Sequence, residues 1–202
     1  MITKSQLAIQ LSKLRTFTNP ILKLEQYATD SETAAEIIWT AYLDNDIENR
    51  TIADLGSGTG VLAYGCLILG AKKVYLVEKD KEANKIASHN LSQFKNFKII
   101  KSDIKDFRKK VDIVIQNPPF GTKTIHADRE FLKKAMQVSK KIYSLHKTST
   151  KDFISTFAKK NNFRIKRIIS FSHPIKQTYK HHKKSIHRTK VSCFVLEKIS
   201  CS

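Results

Sequence analysis

Two short stretches carry residue types that can do chemistry together. The first is Asp54-Leu-Gly56-Ser-Gly58-Thr-Gly60. Glycines in such a turn let backbone approach a ligand closely at the end of a strand. The spacing is GxGxG, not the GxGxxG of dinucleotide binders. Asp54 would repel a pyrophosphate and would suit a cationic amino-acid group. The next strand ends in Val77-Glu78-Lys79-Asp80, and an acid at that point can hold both hydroxyls of a ribose. Asp80 reads equally well as a helix cap. Asp103, past a third strand, is placed to meet an adenine edge. Together these residues describe a site for S-adenosyl-L-methionine.

The second stretch is Asn117-Pro118-Pro119-Phe120. Two prolines remove two backbone donors and lock the chain in an extended turn. Asn117 and the Pro118 carbonyl are left as rigid acceptors, with an aromatic ring beside them. A flipped adenine could donate its two N6 hydrogens to this pair while Phe120 stacks on the base. Such bonds leave the nitrogen lone pair available and aimed at a methyl donor. Asn117 serves the amine more than the cofactor.

The elements that must position these groups alternate. Strands are predicted at 51–55, 73–77, 97–101, 111–116, 141–145, 163–171 and 188–198. Helices are predicted at 4–15, 31–43, 61–69, 81–94, 104–109, 129–138 and 150–161, with Asp30 or Ser31 capping the second. Alternation implies βαβ units, a parallel sheet and right-handed crossovers, finished by an antiparallel pair. The 202 residues suit one domain, a helical segment over 1–45 followed by a sheet core over 46–202. No run of about 18 apolar residues occurs and the first residues lack an apolar signal core, so a cytoplasmic protein is expected. Three cysteines, Cys66, Cys193 and Cys201, make neither a disulfide framework nor a zinc cage.

Net charge is +19, distributed unevenly. Residues 1–121 carry +3 and residues 122–202 carry +16. A basic surface so concentrated favours a polyanion. Lys180-His-His-Lys-Lys184 has metal-binding residue types, but no carboxylate is near, and phosphate contacts are the better reading. Lys176, Lys180, Lys183, Lys184, Arg188 and Lys190 are the expected phosphate contacts.

The glycine motif with Asn117-Pro-Pro-Phe120 resembles a class I methyltransferase of the exocyclic-amine type. Leu24-Glu-Gln-Tyr27-Ala-Thr29, Asn117-Pro-Pro-Phe-Gly-Thr-Lys123 and Tyr143-Ser-Leu-His-Lys147 narrow it. They resemble the archaeal and eukaryotic methyltransferase-like family that makes N6-methyladenosine in small-subunit ribosomal RNA. The resemblance spans nearly the whole chain and implies a Rossmann-like α/β fold with a mostly parallel seven-stranded sheet. It implies that Gln26 and Thr29 contact the cofactor with Gly56, Thr59, Gly60, Val61, Glu78 and Asp103. Glu78 is a mild departure, since the family often has Asp there. Tyr27 packs or contacts. His146 and Lys147 are implied to line the RNA side, although a buried His146 is as good a reading. A small zinc-binding activator protein is implied at an edge strand near Phe97–Lys101. Two rival functions remain: a protein-glutamine N5 methyltransferase, which prefers Tyr at the aromatic position, and a catalytically silent RNA-binding subunit.

Overall fold

A computed structural model describes residues 2–17, 29–119, 127–171 and 190–199. Seven strands form one sheet: β1 (Thr51–Leu55), β2 (Lys73–Val77), β3 (Phe97–Ile100), β4 (Ile113–Gln116), β5 (Lys141–Lys147), β6 (Phe163–Ser170) and β7 (Val191–Lys198). Their order is β3-β2-β1-β4-β5-β7-β6. The first five are parallel, and β7 runs antiparallel to both β5 and β6. This is the mostly parallel α/β sheet expected from the alternating pattern, with β3 at one edge.

Alternation along the strands sorts the core into two layers. Ile52, Val74, Leu76, Ile113, Ile115 and Tyr143 pack on one face, with α1 (Lys4–Ser12), α2 (Ser31–Leu43), α3 (Val61–Ile68) and α4 (Lys81–Asn90). Ala53, Leu55, Val77, Val114 and Ile142 pack on the other, under α5 (Ala127–Val138), α6 (Lys151–Lys160) and the 3₁₀ turn Ile104–Asp106.

Local chemistry sets the helix ends. Thr3 and Gln6 form a reciprocal cap on α1, and the Asp30 side chain accepts from Thr33 N at 2.9 Å to start α2. The helix at 81–94 stops at Asn90. That side chain turns back instead, donating to the carbonyls of Arg15 at 3.0 Å and Thr59 at 2.9 Å. The 104–109 helix contracts to one 3₁₀ turn. β5 extends two residues beyond the expected 141–145 because β7 pairs with it as far as Lys147↔Val191.

Candidate active site

Strand register brings the chemical residues together. Ile100, Val77, Leu55, Gln116 and Ser144 form one row across β3, β2, β1, β4 and β5. The next residue on β2, β1 and β4 is Glu78, Gly56 and Asn117. Two motifs 61 residues apart in sequence therefore emerge side by side at the carboxyl ends of neighbouring strands, the usual ligand crevice of an open α/β sheet.

The glycine loop has the shape its sequence implies. Gly56, Gly58 and Gly60 have φ of 69°, 52° and 83°, a region L side chains rarely adopt. A Cβ on Gly56 would also come within 2.7 Å of the Phe131 ring. Asp54 is 2% exposed on the α3 side of β1, and its Oδ2 accepts from Ala63 N at 3.2 Å. Its Oδ1 has no partner among the described residues. Burial pushes its pKa up to about 7; the Ala63 bond opposes this and nearby Glu78 adds to it. A buried carboxylate with one open oxygen beside a glycine cradle fits a cationic amine, the feature of S-adenosyl-L-methionine that Asp54 was expected to meet. Thr59, Gly60 and Val61 are buried in the turn into α3.

Of the two acids that follow β2, Asp80 takes the helix-cap role read from sequence, and Glu78 turns to the glycine loop. Asp80 caps α4, accepting from Ala83 N at 2.7 Å. The Glu78 carboxylate is folded toward the loop, accepting from Gly58 N at 3.0 Å and Asp80 N at 2.8 Å. Asp103 caps the 3₁₀ turn through Lys105 N at 3.0 Å, with Lys79 Nζ 3.8 Å away.

Asn117 is half-buried on the same side of the sheet as Asp54. Its Nδ2 donates to Thr29 Oγ1 at 2.9 Å, and its Oδ1 is buried with no partner among the described residues. Thr29 lies just before the Asp30 cap of α2, so the helix start orients the amide. An oriented, unsatisfied acceptor beside Pro118 and Pro119 is set to take a donor from a ligand.

His146 is a correction. Even-numbered residues of β5 face α5 and α6, so His146 is sealed in that layer, 1% exposed and edge-on to Phe194. Burial lowers its pKa to about 3, so the ring is neutral. Its Nε2 lies 2.7 Å from Ser144 Oγ, which accepts from Gln116 Nε2 at 2.9 Å. The ring supports the β4 end from behind and presents no surface to RNA. Lys147, next along, is half-buried.

Two residues at the loop carry no warning in the sequence. Phe131 reads as part of the apolar stripe of α5, yet its ring lies on Gly56. Phe17 follows α1 in a stretch without periodicity, and a Cβ on Gly58 would lie 3.5 Å from its ring. Asn90 pins that stretch by bonding Arg15 and Thr59 together. Gln26, Tyr27, Phe120, Lys123, Lys176, Lys180, Lys183, Lys184, Arg188 and Cys201 lie outside the described residues. Among those described, no helix is long and apolar enough to cross a membrane, and no three His, Cys, Asp or Glu gather as a metal site.

Residues 27–146 match the methyltransferase small domain family model. The crystal structure of PH1948 from Pyrococcus horikoshii superposes with a TM-score of 0.90 at 44% identity, covering 98% of each chain. The rRNA N(6)-adenosine-methyltransferase METTL5 of Danio rerio is 35% identical, over 86% of this chain and 88% of its own. A magnesium protoporphyrin IX methyltransferase of Synechocystis with bound SAM shares the fold alone, with a TM-score of 0.63 at 15% identity over 83% and 78% of the two chains. With its glycine cradle, open Asp54 oxygen and neighbouring Asn117, the chain belongs to the methyltransferase small domain family and is an enzyme that uses S-adenosyl-L-methionine.

Proposed function

We propose that this enzyme methylates N6 of an adenosine in ribosomal RNA of the small subunit. The observation that carries the reading is the open, buried Oδ1 of Asn117, oriented by Thr29 at the strand end beside the cofactor loop. When bound, S-adenosyl-L-methionine supplies an electrophilic methyl group on sulfonium sulfur. Asn117 Oδ1 and the Pro118 carbonyl accept the two N6 hydrogens, holding the nitrogen near attack distance with its lone pair free. No strong base is required, because the amine loses its proton after the carbon–nitrogen bond forms. Similarity along most of its length to an rRNA adenosine methyltransferase supports the same substrate class.

A carboxamide could use the same pair of acceptors, so the geometry alone permits protein glutamine. The +16 carried by residues 122–202 favours RNA. An intact Asn117 and glycine loop argue against a silent subunit. Lys147 is proposed to line the RNA side of the pocket, and Lys176, Lys180, Lys183, Lys184, Arg188 and Lys190 to contact phosphates. Isotope transfer from labelled cofactor into purified ribosomal subunits, followed by nucleoside mass spectrometry, tests the reading. Label in N6-methyladenosine of small-subunit RNA supports it. Label in protein, or none in RNA, overturns it.

Phe120 is proposed to stack on the flipped base, a contact of about 1–3 kcal/mol. Phe120→Ala should lower kcat/KM for RNA about tenfold or more, with Phe120→Tyr close to wild type. Equal kcat/KM for all three would assign the ring to packing.

The proposed activator partner would add a strand to β3, which among the described residues pairs with β2 alone and has no strand on its other edge. Co-expression with a small zinc-binding protein of the same genome should yield a stable complex. Full solubility and activity of the isolated chain, with no complex, would reject the partner.

A further inference from the structure

Glu130, Lys133, Lys134 and Gln137 recur at helical spacing and share one face of α5. That face looks across an open groove of about 380 Å³ toward Lys105, within the 3₁₀ turn, and Arg108, just after it. Four cations and one carboxylate line it. Lys134 fastens its floor: the residue is 8% exposed, and Nζ donates to the carbonyls of Lys105 at 2.9 Å and Phe107 at 3.0 Å. Burial and the Arg108 charge lower its pKa, with Asp106 opposing them. Arg108 braces the same stretch by donating to those two carbonyls. Lys105 and Lys133 are exposed on opposite walls.

Both walls start at the catalytic end of the sheet. One follows Asp103 directly, and the other belongs to the helix whose Phe131 lies on Gly56. Every lining residue is charged or polar. The groove's positive charge, concave shape and position suit a phosphate chain passing the site where a base is turned inward.

We propose that this groove holds backbone phosphates of the RNA strand flanking the target adenosine, through residues other than those of the basic stretch at 176–190. The inference rests on the RNA reading above and names where that substrate runs. The groove joins the two differently charged parts of the chain, one wall coming from residues 101–110 and the other from α5.

The test is the double variant Lys105→Glu/Lys133→Glu, both side chains exposed. A control, Lys72→Glu/Lys95→Glu, makes the same charge change at exposed positions of the opposite sheet end. Binding of a fluorescein-labelled single-stranded RNA oligomer is followed by anisotropy at several salt concentrations, with S-adenosyl-L-methionine affinity measured by calorimetry. Two lost phosphate contacts to a single strand should reduce the salt slope by roughly 1.4 and weaken binding roughly tenfold at low salt. Cofactor affinity should hold, and the control should lose much less. Wild-type slope and affinity in the groove variant overturn the proposal. So does an equal loss in the control, which would reduce the effect to net charge. RNA that binds through the groove without acquiring label would sink the functional reading and leave the groove standing. Normal methylation with an indifferent groove variant would do the reverse.

Discussion

Asn117→Ala is expected to lower methyl transfer to RNA roughly a hundred- to a thousandfold, with cofactor affinity changed little. The proposed bond from the amine to Asn117 Oδ1 strengthens as charge develops on nitrogen, and removing one such transition-state bond costs about 2.7–4 kcal/mol. The native structure shows what truncation would delete. Oδ1 is buried, aimed by the Nδ2 donation to Thr29, and has no partner among the described residues. Alanine therefore removes a group held ready for ligand, and the loss should fall on kcat. Asn117→Asp keeps an acceptor at the same place, and its carboxylate can accept a hydrogen bond from the Thr29 hydroxyl. It should retain far more activity than the alanine variant. Single-turnover rates with calorimetric cofactor affinities make the comparison. Near-normal turnover in Asn117→Ala would remove the amine from this residue and with it the proposed reaction.

Fold and site were legible to different depths, for physical reasons. The central strands were readable because each is short, apolar and bounded by turn chemistry, and β6 because apolar and basic residues mix along an extended run. The glycine motif was readable because the positive φ angles at Gly56, Gly58 and Gly60 exclude most other residues. Their juxtaposition with Asn117 follows once β1 and β4 are neighbours, since Leu55 and Gln116 share a register position. What stayed hidden depends on tertiary packing. Phe131 and Phe17 look like ordinary apolar residues until the ring of each is found against a glycine. His146 looked like an RNA contact by resemblance, yet the two-residue alternation of β5 already assigned it to the face of Ile142 and Ser144. Asn90 ends a helix that periodicity would carry to 94, because a side-chain tie between the N-terminal stretch and the glycine loop outweighs one more helical turn.

Asp54→Asn should stabilise the cofactor-free enzyme at pH 8 while weakening its hold on S-adenosyl-L-methionine. In the folded chain the carboxyl titrates near pH 7, against 3.8 for the ordinary group, with burial the main cause. Between those values the folded state binds the proton more tightly than the unfolded one. This group's contribution to stability therefore falls as pH rises through that window, and its full cost, on the order of 4 kcal/mol, is present above about pH 7. An amide at position 54 carries no charge to desolvate, so its melting temperature should lack this decline. Binding behaves oppositely. A cationic amine prefers the carboxylate, so wild-type affinity should climb by up to about tenfold per pH unit from 5 toward 7. Losing a hydrogen bond to a charged group costs about 1.5–3 kcal/mol, which weakens binding of the Asn variant at pH 7.5 roughly 10- to 150-fold and flattens its rise with pH. Cofactor addition should accordingly raise the wild-type melting temperature more at pH 7.5 than at pH 5.5, and raise that of the variant little at either. A variant that binds as tightly as wild type with the same pH profile would mean that Asp54 only shapes the turn into α3, through its bond to Ala63, and that another group meets the amine.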